Sequence, residues 1–411
     1  MKEIIKRALI TIGVLFIFEF GKTVTIPGVI NVTSLYSNVF SNVLDSISML
    51  SGGSLGSFSI FTLGVGPYIT SSIIIQLLGT AGIPYIKNLM DEGGKGKAKL
   101  NRLMRYASLI IACIQGFALT VMYEKSYGIL QDTSFLGYGQ VILAMVAGMC
   151  VVMWMADFIT VHGLGNGVSI IIFTGIISGL PATIRSVYSL FMEGNNGMLK
   201  FCLYLLMYVV LIILVVLVEL SERRIPVQQS NRVVNKTLGD LSFIPLKVNS
   251  ASVMPVIFAS TFLSAPSMIA SLFGVNVDVI NKFLSLSSWT GLLVYGVLIV
   301  FFTFLYTGMQ VNVDDITENL ANNGSYIPGV RPNDETRRYI NNVLNGITWV
   351  GAAFLLFIAL LPNLVSIVTG IPSNIAIGGT GIIIAVGVAI ELINNVKTMK
   401  KNSAYESYRR F

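Results

Sequence analysis

The sequence predicts an all-α polytopic membrane protein with ten transmembrane helices in two inverted halves of five. Three observations carry that expectation. Of the 411 residues, 54% are hydrophobic and only 11% are charged, where soluble domains carry about a quarter charged. The apolar residues gather into ten stretches, each close to the ~20 residues that cross a bilayer. Features of the second and fifth stretches return in the seventh and tenth.

Span 1, about 5–24, follows Lys2, Lys6 and Arg7 and reads like a signal peptide. No small-x-small cleavage pattern follows it, so it is expected to stay as the first helix. Span 2, about 64–80, starts late, after the breaks Gly52-Gly53-Ser54 and Ser57-Phe58-Ser59. Irregular backbone inside a membrane is tolerated only where it is buried in protein or lines a wet cavity, so this stretch is a stopper or part of a binding site. Spans 3 to 5, about 103–123, 139–158 and 167–187, complete a first half, residues 1–190. Spans 6 to 10, about 199–219, 252–273, 288–309, 341–361 and 374–394, make a second half, residues 191–411, interrupted by polar loops at 220–250 and 310–340.

An even number of spans puts both termini on one side. With the N-terminus inside, 22 of the 27 Lys and Arg residues fall on inner segments, and only Lys22, Lys125, Arg185, Lys200 and Lys282 lie outside. The basic side is the cytoplasmic one. The net charge of +7 is therefore read as topology, and no nucleic-acid specificity is expected.

The repeat shows in pairs. Span 2 opens with Gly66-Pro67-Tyr68-Ile69, and span 7 carries Val253-Met254-Pro255-Val256-Ile257. Span 5 opens with Gly165-Asn166-Gly167-Val168, and span 10 with Gly378-Gly379-Thr380-Gly381. Five helices per half is an odd number, so the second half is inverted. Inverted repeats place the working site at their interface.

That interface offers little chemistry. Spans 3, 5, 7, 8 and 9 have no ionisable residue in their middles, while Asp157, Glu219 and Glu391 lie at cytoplasmic ends. Ion-coupled transporters carry buried ionisable relays, which argues against a small-solute carrier. The sole histidine, His162, falls in a short inner loop, so neither a histidine-based triad nor a zinc centre is expected within the membrane. Asp91 to Ala98 resembles a phosphate loop but has Ala98 where Ser or Thr is needed. Gly163 to Gly167 follows no strand, which weakens a dinucleotide reading. Cys113, Cys150 and Cys202 fall one per apolar segment and read as core packing. The chain is thus expected to be no enzyme and to need no cofactor.

What the interface does have is aliphatic bulk. Val65 and Ile69 share a face of span 2, and Val168 and Ile172 share a face of span 5. Ile257 and Ile384 stand at matching places on spans 7 and 10. Six β-branched side chains from four helices can close a narrow dry constriction, which holds ions back by dewetting; the same spacing also fits ordinary core packing.

Nearly end to end, the sequence strongly resembles the SecY family, the central subunits of bacterial protein-conducting channels. The resemblance is carried by Ile26-Pro27-Gly28-Val29, Phe58 to Gly64 with the Pro67 to Leu78 run, Gly163 to Phe173, and Glu222-Arg223-Arg224-Ile225-Pro226-Val227. It continues in Pro245 to Asn249, Met254 to Ala259, Ile327-Pro328-Gly329-Val330-Arg331-Pro332, and Gly378-Gly379-Thr380.

The resemblance implies a clamshell of two halves and a channel for unfolded secretory proteins in the bacterial plasma membrane. It makes Val65, Ile69, Val168, Ile172, Ile257 and Ile384 a pore ring. Residues about 44–56, with Leu44, Ile47, Leu50, Gly52 and Gly53, would be a plug. Spans 2 and 3 would part from 7 and 8 as a lateral gate for signal peptides to reach the lipid bilayer, with Gln76 near the seam. Arg223, Arg224 and Arg331 would dock a SecA ATPase or a ribosome, and small SecE-like and SecG-like membrane subunits would be partners. Against the family's usual basic run after the Arg pair stands Gln229-Ser230-Asn231-Arg232, which fits, as an alternative, an accessory member dedicated to few substrates.

Overall fold

The computed structural model describes residues 2–29, 58–80, 82–92, 94–192, 197–229, 242–251, 253–272, 283, 284, 286, 288–369 and 378–409. The expected plug, with Leu44, Ile47, Leu50, Gly52 and Gly53, lies outside the described residues, as does most of the Gln229 to Arg232 run.

Among the described residues, ten apolar helices stand where the ten spans were expected. In order they are Lys2–Gly21, Gly66–Thr80, Gly94–Tyr127, Phe135–His162, Gly167–Met192, Gly197–Glu219, Met254–Leu272, Trp289–Gln310, Asp334–Thr369 and Gly378–Arg409. Among the described residues, seven are long and apolar enough to cross a membrane alone. The other three depart for local reasons. Span 1 carries Glu3, Lys6, Arg7 and Glu19 within its length. Span 2 turns by 103° into a short helix, Pro84–Asp91, across a break that contains Gly82 at φ +85°. Span 7 is described over 19 residues, Met254–Leu272, with Pro266 inside it.

Several helices run beyond their apolar cores. Span 3 begins at Gly94 with Lys95, Lys97, Lys99 and Arg102 on its first turns. Span 4 extends to His162, so the histidine ends a helix instead of sitting in a loop, with its ring 4.7 Å from that of Phe158.

The neighbour relations repeat. Spans 2 and 3, 3 and 4, 4 and 5, 1 and 4, and 1 and 5 pack together; so do 7 and 8, 8 and 9, 9 and 10, 6 and 9, and 6 and 10. Every relation in the first set becomes one in the second when five is added to each number. Between the sets, span 7 meets spans 2 and 3, span 5 meets spans 6 and 10, and span 1 meets span 10. The weak sequence repeat thus corresponds to a repeat in packing.

The cysteine expectation was wrong. Cys113, Cys150 and Cys202 are all exposed. A membrane helix buries one stripe against its neighbours and leaves the rest to lipid, which is as apolar as a core. On span 6 the exposed face includes Leu203, Leu206, Val209, Ile213 and Leu217. A small apolar thiol suits that surface as well as an interior.

The two polar loops contain a sheet that the sequence reading missed. Strand β1, Glu222–Gln229, pairs antiparallel with β2, Ser242–Lys247, with Ile225 opposite Ile244 and Arg224 opposite Pro245. The other edge of β1 pairs with β3, Ser325–Tyr326, from the second loop. Ile225, Leu246, Ile327 and Ile340 make a small core beneath this sheet, supported by Val313 and Ile316 of a short helix, Val313–Asn322. That helix is fastened to span 9 by Arg337, whose Nε lies 2.6 Å from Asp314 Oδ1. The two loops therefore form one body.

Candidate functional site

The site is built around the approach to span 2. From Ser59 to Gly66 the chain advances by tight turns: Thr62 N donates to Ser59 O at 3.0 Å, Gly64 N to Phe61 O at 2.8 Å, and Gly66 N to Leu63 O at 3.2 Å. Gly64 takes φ +51°, which a residue with a side chain adopts only with strain. Ile60 N reaches back to Val24 O at 3.0 Å, and Phe61 stacks on Phe18 of span 1 with centroids 5.9 Å apart. Phe58, Ser59, Thr62 and Val65 are buried. A Cβ on Gly148 of span 4 would sit 2.0 Å from Ile60 O, so only glycine lets this backbone lie against span 4. These turns satisfy their own peptide groups inside protein, as non-helical backbone at membrane depth must.

The turns deliver span 2 into a single core. Val65, Ile69, Ile172, Ile257 and Ile384 are buried members of it, and Val168, half-buried, packs against them. Five of the six expected ring residues, Ile69, Val168, Ile172, Ile257 and Ile384, also line one cavity of about 810 Å³. Val65 belongs to the core but does not line the cavity.

The cavity runs from these aliphatic side chains to the sheet-bearing end of the bundle, where Pro245, Leu246 and Lys247 of β2 line it. One wall is the seam between spans 2 and 3 and spans 7 and 8. Ser71 Oγ donates to Met104 O at 2.7 Å and ties span 2 to span 3. On the opposite side of the seam span 7 is tied to span 8, where the Phe258 ring meets Phe302 and Tyr306 edge-on at 5.8 and 5.7 Å. Gln76 lines the cavity on this wall, and its Nε2 donates to Ser72 Oγ at 3.1 Å.

Other walls are polar, and the sequence reading did not foresee them. Glu219, Lys247 and Glu391 all line the cavity, and Asn249 Nδ2 donates to Glu219 Oε2 at 2.9 Å. Glu219 and Glu391 had been placed at helix ends, but nothing in the sequence said that those ends face one space. Register within span 10 was the only available signal: Ile384, Val388, Glu391 and Asn395 fall at helical spacing on one face.

The three candidate docking arginines sit on or beside the sheet. Arg224 Nε lies 2.7 Å from Glu222 Oε1, and its guanidinium rests 4.8 Å from the Phe243 ring centroid. Arg223 is exposed. The Arg331 side chain is 86% exposed, with Glu335 Oε1 4.0 Å away. Among the described residues, no group of three His, Cys, Asp or Glu side chains could hold a metal ion.

Comparison with known proteins gives a consistent result. The SecY family model matches residues 59–393. A protein translocase subunit SecY from Mycoplasma capricolum is 37% identical over 421 aligned residues, covering 96% of this chain and 87% of the relative. Among solved structures, one described as "The structure of a protein conducting channel" superposes with a TM-score of 0.72 at 18% identity, covering 97% of this chain and 93% of that one. A second, described as showing that the plug domain of SecY stabilises the closed state and maintains a membrane seal, gives a TM-score of 0.70 at 16% identity, covering 97% of this chain and 92% of that one.

Proposed function

The chain belongs to the SecY family, and on that footing we propose that it conducts unfolded secretory polypeptides across the membrane and releases apolar helices sideways into lipid, driven by a partner motor. The observation that carries this reading is the floor of the cavity. Four helices bring Ile69, Val168, Ile172, Ile257 and Ile384 to one place at the junction of two similar halves. Such a ring offers no charge and no fixed hydrogen bond, so it does not trap the varied side chains of a passing chain. Between passengers it excludes water and with it ions.

The seam between spans 2 and 3 and spans 7 and 8 is the lateral gate in this reading. Its inner face mixes Gln76 and Tyr306 with Met104 and Phe258. An apolar signal helix gains about 25 cal/mol per Å² of apolar surface on leaving water, and a side opening uses that gain as the selection signal. Residues 44–56 are assigned as the plug and residues 1–190 and 191–411 as the two halves. The sheet-bearing end is the cytoplasmic mouth, where Arg223, Arg224 and Arg331 meet a SecA-type ATPase or a ribosome. Both termini lie on that side of the plasma membrane, following the basic-residue count, and SecE-like and SecG-like subunits complete the channel.

The test is translocation into inverted membrane vesicles containing this chain as the sole SecY-type subunit. ATP-dependent protection of a secretory precursor from added protease is expected. Vesicles that hold the channel and its partner subunits, yet protect no precursor, would overturn the reading.

A further inference from the structure

The cavity carries a feature that sealing does not use. Six side-chain carboxamides line it: Gln76 on span 2, Asn166 before span 5, Asn249 after β2, Gln310 at the end of span 8, and Asn394 and Asn395 on span 10. They come from five separate stretches of chain and converge on one wet space directly beyond the aliphatic floor. Asn166, Gln310 and Asn394 are exposed, and the Asn395 carboxamide lies against Gly165, where a Cβ would stand 3.1 Å from its Nδ2.

An amide side chain has a property that charged or hydroxyl groups lack here. It presents a donor and an acceptor with the geometry of a peptide group, and it carries no charge. Glu219, Lys247 and Glu391 line the same cavity; such charges attract passenger side chains by sign, which the amides do not. An amide wall matches the one feature that every residue of an extended passenger repeats, its N–H and C=O. Those groups must leave water to cross the aliphatic floor, where nothing replaces their hydrogen bonds.

Resting on the channel reading above, we propose that these six residues form an amide collar that binds the main chain of an extended polypeptide, without regard to sequence, just before it enters the constriction. The collar holds the passenger's peptide groups between strokes of the motor and resists backward sliding. Each contact is weak and exchangeable, as movement requires.

The proposal is tested by back-sliding. A precursor with a folded C-terminal domain is stalled in vesicles, ATP is withdrawn, and loss of protease protection is followed with time. Two passengers are compared: an ordinary one, and one whose stretch lying in the cavity carries backbone esters, which remove N–H donors and leave side chains unchanged. The ester passenger is expected to slide back about fivefold faster, the effect of one net hydrogen bond. In a channel with Gln310→Ala and Asn394→Ala the two passengers are expected to converge, and Gln310→Asn with Asn394→Gln should restore most of the difference. Equal sliding of the two passengers in the unaltered channel overturns the collar, as does an undiminished ester effect in the alanine variant. Absence of any protected intermediate would instead count against the channel reading.

Discussion

The floor of the cavity and its mouth present opposite surfaces. At the floor, Ile69, Ile172, Ile257 and Ile384 are each under 8% exposed and belong to the main core. At the mouth, exposed charge prevails, with Arg331 86% exposed and the Arg337–Asp314 pair more than half exposed on both sides. The difference teaches where single changes should matter. A polar group placed in a dry ring alters the local balance of water and vapour, whereas a charge altered at a wet rim is screened by salt.

The largest effect is therefore expected at the floor. Ile257→Asn or Ile384→Asn should raise resting ion conductance in planar bilayers about tenfold, the factor given by ~1.4 kcal/mol of added wetting. Unchanged conductance would erase the distinction between floor and mouth. Deleting residues 44–54 should give a smaller leak, about threefold, because the aliphatic ring still closes; a channel that stays tight after the deletion would take the plug assignment away. The smallest effect is expected at the mouth, where Arg331→Glu should slow motor-driven export about two- to fivefold, more at low salt than at high. Equal export rates at both salt concentrations would remove Arg331 from the docking surface.

How much of this was legible in the sequence follows the same division. The ten helices were readable because a bilayer demands long apolar runs, and even span 2 showed its late start in Gly64-Val65-Gly66-Pro67. The six ring candidates came from the resemblance to the SecY family, since spacing alone fitted ordinary core packing, and the structure gathers Ile69, Val168, Ile172, Ile257 and Ile384 around one cavity. Val65 was placed with them, but it packs in the core without lining the space.

The mouth was much less readable. β1 contains Pro226 and β2 contains Pro245, and proline inside a short run argues against a strand. Both prolines nevertheless sit in the β1–β2 ladder, Pro226 opposite Phe243 and Arg224 opposite Pro245, and β1 also pairs Gln228 with Tyr326 across nearly a hundred residues, a separation no local pattern encodes. The polar walls were hidden for a similar reason: Glu219, Asn249 and Glu391 reach one space only because the end of span 6, the residues after β2 and the middle of span 10 come together. The cysteines misled because a membrane protein has two apolar environments, and sequence alone does not tell core from lipid.

Disulfide trapping of an arrested passenger tests the central claim most directly. In a channel whose native cysteines are replaced, single cysteines at positions 69, 172, 257 and 384 are each paired with single cysteines stepped along the passenger. A common constriction predicts that all four positions trap the same passenger residue, to within one or two. Four positions that trap widely separated passenger residues, or none at all, would contradict it.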